Sequence, residues 1–389
     1  MPPRPSLALL SLISAGGPLA LNIIVPSLPG IAKALDIGYG AAQLLLTVYL
    51  FAFGGFQLVV GPLSDRIGRR AMLQIGLAIF MLASAGGLFA SSIELLTLVR
   101  IGQAFGACTL MLVPRAIVRD SFPGAEAVHA MALIAMVMSV GPAIAPVLGG
   151  VGEELVNWRF GFGFCVVLGL ALLIWVSVAL DETRVVETGG HPGPRELVRR
   201  YGLLLSNRAF LGNTLVLSMM SSCFFAWVAA APALFIFRYG ISPSAFGTAM
   251  LAISAGFVIG TFAAARTARF VPAETMMKWG AFAVAGTMLL MALGMAVDSP
   301  WFYVAIMLAY SISNGFVYPT SISGATAVDP RIAGAASAFM GFIQLLAGTL
   351  ASLVAGGLAE AGPVSLVAAC LFCGVMTPIC RTLIPKRAD

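Results

Sequence analysis

From Ala41 to Ala90 the chain reads AAQLLLTVYLFAFGGFQLVV, then GPLSDRIGRR, then AMLQIGLAIFMLASAGGLFA. Two apolar runs flank a short turn that carries Asp65, Arg66, Arg69 and Arg70. Each run is close to the ~20 residues a helix needs to cross the hydrocarbon core of a bilayer. The segment therefore predicts a helical hairpin through a membrane, with the charged turn at one surface. Strands of a β-barrel would be about 10 residues long with alternating polarity, and no such alternation runs through these residues.

The same pattern extends outward over the whole chain. Twelve apolar stretches are read at roughly 6–29, 41–62, 71–91, 94–117, 128–150, 159–180, 209–236, 244–266, 275–297, 300–322, 333–356 and 363–384. Of the 389 residues 60% are hydrophobic and 10% charged. A soluble domain carries about 25% charged residues, so this chain lacks the polar shell of a cytosolic enzyme or a nucleic-acid binder. The net charge of +6 fits the basic rim of a membrane protein. The first stretch contains Pro18, Asn22, Pro26 and Pro29 and has no clear small-residue cleavage site, so it is expected to be a retained helix. With the N-terminus inside, 17 Lys and Arg fall on the inner side and only Lys33, Arg159 and Arg238 on the outer. The fold expected is an all-α membrane protein of twelve transmembrane helices, with both termini cytoplasmic.

The longest polar segment divides these helices into two six-helix, pseudo-symmetric halves: residues 1–182, a cytoplasmic linker 183–208, and residues 209–389. A shift of 203 residues sets Pro29 on Pro232 and Arg66 on Arg269, a weak internal repeat of the sort common in secondary transporters. The basic part of the linker, with Arg195, Arg199 and Arg200, suits the inner membrane surface.

Gly61-Pro-Leu-Ser-Asp65-Arg66-Ile-Gly68-Arg69-Arg70 resembles the signature loop of the major facilitator superfamily, G-x-L-[SA]-D-R-x-G-R-[RK]. The resemblance implies a conformational latch. Asp65 would take charge-assisted bonds, Gly61 would admit a close helix and Gly68 a tight turn. Leu98-Val-Arg100-Ile-Gly-Gln103-Ala-Phe-Gly106 is similar to the fourth-helix pattern of the superfamily's drug exporters. Gly141-Pro142-Ala-Ile-Ala-Pro146-Val-Leu-Gly149-Gly150 is similar to their fifth-helix antiporter motif, with altered spacing and an added Pro146. Arg115 to Asp120, including Arg119, together with residues 335–344, 17–20 and 26–29, resembles the bicyclomycin/chloramphenicol-resistance subfamily.

A charge at the bilayer centre is costly, at least ~2.5–3.5 kcal/mol on insertion scales, so Arg100 is expected to be functional or paired. It lies about six residues into its span, roughly 9 Å deep at 1.5 Å per residue, and Gln103 shares its face. Both are expected to line a central cavity. Asn22, Gln43, Tyr49, Trp227, Tyr310, Asn314, Tyr318 and Gln344 are further candidates for its wall. All 16 carboxylates are placed at span ends or in loops, with Glu153 and Glu154 at the outer edge. His129 and His191 are placed at the inner surface. Subfamily members commonly carry an Asp where this chain has Asn22, and an amide does not exchange protons as a carboxylate does.

The resemblance implies a secondary active transporter that exports small amphipathic compounds, of multidrug or antibiotic type, by alternating access. Proton exchange is the usual coupling. Because of Asn22, a proton-independent facilitator or an uptake carrier for a small metabolite stands as the alternative. No nucleophile–base pair or metal-ligand set falls at membrane depth, so an enzyme is not expected. Cys370 and Cys373 read as buried helix residues with no His or carboxylate beside them. No metal and no cofactor other than the proton gradient is expected. The partners expected are a small-molecule substrate and the lipid bilayer, without nucleic acid. The protein is expected to be a monomer and a multi-pass protein of the bacterial inner membrane.

Overall fold

The computed structural model describes residues 5–183, 194–297, 299–328 and 332–385. Arg4, Arg184, Glu187, His191, Asp298, Asp329, Arg331, Lys386, Arg387 and Asp389, and the middle of the expected linker, lie outside the described residues.

The described chain is helical. Its elements are α1 (Leu7–Asn22), α2 (Leu28–Ala34), α3 (Tyr39–Ile67), α4 (Arg69–Leu88), α5 (Ile93–Ser121), α6 (Gly124–Leu155), α7 (Phe160–Ala179), α8 (Pro194–Leu205), α9 (Arg208–Pro232), α10 (Pro243–Thr267), α11 (Ala273–Leu293), α12 (Pro300–Thr326), α13 (Ala333–Gly357) and α14 (Pro363–Arg381). Among the described residues, 12 helices are long and apolar enough to cross a membrane, with α1 and α2 counted as one.

Several spans run past their expected ends, α3 to Ile67, α5 to Ser121 and α6 to Leu155, and two others are interrupted at proline. The first runs to Ala34 rather than residue 29, and it is broken by a 3₁₀ turn at Val25–Ser27. Pro26 lacks the N–H that would continue the α-helical ladder there. The seventh begins at Arg208, the last residue of the expected linker. It ends past Pro232 in a wider, π-helical turn over Ala233–Arg238. The linker itself contains a helix, α8. Tyr201 of α8 stacks on Phe339 of α13, with ring centroids 4.5 Å apart and 15° between planes.

The chain falls into two compact units. The first comprises Met1–His191 with Ile241–Thr248, and the second Pro192–Gly240 with Ala249–Asp389. Each unit uses the same helix pairs. In the first, α1 packs on α5, α6 and α7, and α4 on α5 and α7. In the second, α9 packs on α12, α13 and α14, and α11 on α12 and α14. The weak repeat in sequence is thus a strong repeat in packing. Gly106 meets the Gly76 carbonyl and Phe80, and Gly256 meets Leu308, close helix contacts within each unit.

Candidate functional site

The charged turn of the opening hairpin is built around Arg69, the first residue of α4. Gly68 precedes it at φ 101°, a left-handed conformation open to glycine and strained for other residues. Arg69 is 5% exposed although charged. Its Nε donates to Asp120 Oδ2 at 2.9 Å, and its Nη1 donates to Ser64 Oγ at 2.6 Å and pairs with Asp65. Arg119 reaches the other Asp120 oxygen at 3.7 Å from an exposed position. The ends of α3, α4 and α5 are thereby joined through one guanidinium.

A third acid completes the cluster, and the motif did not reveal it. Glu182 accepts from the backbone N–H of Arg69 at 2.8 Å and of Arg70 at 3.2 Å. It caps α4 and places a negative charge at the positive end of the helix. A Cβ at position 68 would come within 2.5 Å of the same carboxylate, a second reason for glycine there. Arg70 donates to the Ser177 carbonyl at 2.6 Å, which ties α7 to the cluster. Arg66 is exposed. Among the described residues of its own unit, nothing lies within 4 Å of where a Cβ of Gly61 would be.

The second polar centre is Arg100 in α5, 1% exposed. Its Nη1 donates to the Ala20 carbonyl of α1 at 3.1 Å and to Gln103 Oε1 at 3.0 Å, and its Nε to the Leu45 carbonyl of α3 at 3.3 Å. The guanidinium lies over the Tyr49 ring, 4.1 Å from its centroid, and Tyr49 donates to the Gly17 carbonyl. Gln103 donates to Ser84 of α4 at 2.8 Å. The expected open cavity wall is thus, in this conformation, a packed polar knot. The space beside Arg100, bounded by Ile23, Ile24, Phe162 and Cys165, is too narrow for a water molecule. A cation at this depth needs acceptors, and the Ala20 carbonyl near the break in the first span, the Leu45 carbonyl within α3 and the Gln103 side chain supply them. Arg100 Nη2 and Asn22 Oδ1 remain buried without partners, while Asn22 Nδ2 donates to Pro18 in its own helix.

The fifth-helix motif is a smooth face of α6. Gly149 receives the Ile23 carbonyl at the break in the first span, Gly141 faces Ala15, and Gly150 faces Pro243. Pro142 and Pro146 stay within the helix, and the Pro146 carbonyl lies against Gly247. One turn beyond Gly149, Glu153 is not the loose edge residue expected. It stands in α6 with a buried carboxyl oxygen.

The remaining candidates are divided between the units, Gln43 in the first and Trp227, Tyr310, Asn314, Tyr318 and Gln344 in the second. Gln43, Trp227 and Tyr310 are fully buried packing residues. Gln43 donates to Thr47, Trp227 to the Met250 sulfur and Tyr310 to the Met220 carbonyl. Asn314, Tyr318 and Gln344 keep partial exposure, Gln344 donating to Ser221 at 2.6 Å. All six cysteines are buried free thiols.

Two repeated six-helix units, a salt-bridged turn between the second and third spans and a cation buried in the fourth define a secondary transporter. Residues 10–352 match the sequence profile of the Major Facilitator Superfamily, and the chain belongs to that superfamily. It is 30% identical over 379 residues to Multidrug resistance protein D of Escherichia coli (strain K12), covering 96% of this chain and 94% of that protein. It is 30% identical over 356 residues to the MFS-type transporter YdgK of Bacillus subtilis (strain 168), covering 90% and 87%. The solved structure of a D-xylose-proton symporter superposes with a TM-score of 0.76 at 14% identity, over 97% of each chain, a likeness of fold.

Proposed function

We propose that this protein exports small amphipathic compounds across the bacterial inner membrane by alternating access, as a monomer with both termini in the cytoplasm. Export is driven by inward movement of protons, with no other cofactor. The observation that carries the reading is the Arg69 cluster. It joins three span ends through ion pairs that a change of conformation can break and remake, and a static receptor has no use for such a device. The near full-length similarity to a protein named for multidrug resistance supports the substrate class. The excess of Arg and Lys at the Arg69 end supports the orientation.

A second reading, a facilitator or uptake carrier without proton coupling, is favoured by one observation. The usual first-helix acid is an amide, Asn22, bonded to its own helix. Purified protein in liposomes separates the two. An imposed pH gradient should drive ethidium, a small amphipathic cation, against its own gradient. Flux indifferent to the pH gradient would establish the facilitator, and no flux would sink both.

A further inference from the structure

Asn22 removes the usual acid of the first span, yet a carboxylate reaches the same broken segment from another helix. Glu153 stands in the last turn of α6, four residues after Gly149 and on the same face. Its carboxyl group lies directly over Gly30 of α2, where any Cβ would overlap it. Buried Ser27 hydrogen-bonds the carboxyl group. The second oxygen, Oε2, is buried with no partner.

The charged groups around it are engaged elsewhere or exposed. Glu154 accepts from the Ser244 N–H at 2.9 Å. Arg159, at the head of α7, donates to the carbonyls of Leu88 and Ala90. Lys33 and Asp36, which follow Gly30 in the chain, and Glu94 at the start of α5 are exposed. Among the described residues, no cation pairs with Glu153.

An ionised carboxylate held this way buries negative charge on an oxygen that nothing solvates or neutralises. The neutral acid fits the same place without a counter-charge. The contact is also one that opens as a unit. Gly149 presses on the Ile23 carbonyl one turn away, so parting α6 from residues 23–30 would expose Gly149 and Glu153 together.

We propose that Glu153 is a proton-binding site. Its carboxylate takes a proton from water at the end of the bundle opposite Arg69 as α6 seats against residues 27–30. It returns the proton when the two part. The only bond made or broken is the carboxyl O–H. The inference deepens the proton-coupled reading above and rests on it for its place in the transport cycle, while binding itself is measured independently.

The test is infrared difference spectroscopy of the reconstituted protein, following the C=O stretch of protonated carboxyl groups as pH is stepped, with ethidium flux measured in parallel. The expected result is a carboxyl band in the wild type that is lost in Glu153→Gln and kept in Glu154→Gln. The band should shift in frequency and midpoint in Gly30→Ala and Ser27→Ala, and these two variants carry the test if Glu153→Gln does not insert. A wild-type band that survives Glu153→Gln, or one unmoved by both neighbouring changes, would overturn the site. Ethidium flux indifferent to pH with the Glu153 band present would uphold the site and overturn the coupling.

Discussion

Removal of the Arg69 side chain should be the most damaging single change at the charged turn, and the damage should exceed that from its motif neighbour Asp65. The Arg69 and Asp120 side chains are 6% and 12% exposed, whereas Asp65 is 34% exposed and pairs with Arg69 within a single turn of backbone. Breaking a buried pair by removing one partner costs about 3–5 kcal/mol, because the other charge is left buried. Arg69→Ala leaves Asp120 with only the exposed Arg119 at 3.7 Å. The conformation that holds the cluster should lose roughly 3–5 kcal/mol, about two to three and a half decades in its population. Asp65→Asn removes a pair whose carboxylate is one-third exposed and held within one turn of backbone, and should cost about 1 kcal/mol. Asp120→Asn should fall between, since Arg69 keeps Asp65 and Ser64. The assay is thermal melting of the detergent-purified variants together with ethidium flux in liposomes. Transport should fall in the order Arg69→Ala, Asp120→Asn, Asp65→Asn. Near wild-type melting and flux in Arg69→Ala, or a larger loss in Asp65→Asn than in Asp120→Asn, would refute the assignment of Arg69 as the centre of the cluster.

Arg100→Lys should transport poorly, because an ammonium does not reproduce the planar fork that serves Ala20, Leu45 and Gln103; wild-type flux in this variant would count against the knot. Glu182→Gln should lower the melting temperature by an amount matching ~0.5–2 kcal/mol, the usual value of a helix cap, and no measurable shift would remove its capping role. Gly149→Val should abolish transport while the protein still inserts, since a side chain there meets the Ile23 carbonyl; an active variant would show that α6 and the first span need not touch. Glu196 is held at about 2, below the usual 4.5, by hydrogen bonds from Arg199 and Arg200. A lowered value means the ionised form is the paired one, present above the usual value and lost only as pH falls through about 2. Glu196→Gln should therefore leave the pH profile of transport near neutrality unchanged, and a moved profile would contradict that pairing.

The spans, the hairpin and the charged turn holding Asp65 and Arg69 were legible because they rest on local pattern: apolar length, charge at the turns and a motif contained in ten residues. Glu182 was not, because it meets Arg69 only after α4 to α7 have packed and returned the chain 113 residues later. Gly61 shows the limit of a motif: its position suggests a close neighbour, and among the described residues of its own unit none lies within 4 Å of where its Cβ would be. Arg100 was found by its charge, but its surroundings were not. Helices such as α7 are apolar on every face, so periodicity does not tell which carbonyl or ring will cover a given side chain. Glu153 looked like a loop residue because α6 was expected to end at residue 150, and it continues to Leu155.

The distribution of buried polarity assigns different mechanical characters to the two units. Arg69 and Arg100, the buried cations among the described residues, both belong to the first unit. A buried cation is satisfied by acceptors from several elements at once, so it fastens α1, α3 and α5 to one another, and through Gln103 also α4. Internal sliding of these helices would break several bonds together. Much of the buried polarity in the second unit is neutral and bonded within its own helix, as with Asn213 to Ala209, Ser218 to Thr214 and Thr349 to Leu345. Such bonds survive when helices shift past one another, because donor and acceptor travel together. The sulfur contacts there, Cys223 with Met288 and Trp227 with Met250, are likewise weak and adaptable. The first unit is therefore stiff around Arg100 and yields at its two ends, where the Arg69 cluster and the Glu153 contact sit. In the second unit the bonds between helices, such as Gln344 to Ser221 and Tyr310 to the Met220 carbonyl, join neutral groups, so no buried cation ties its described helices together.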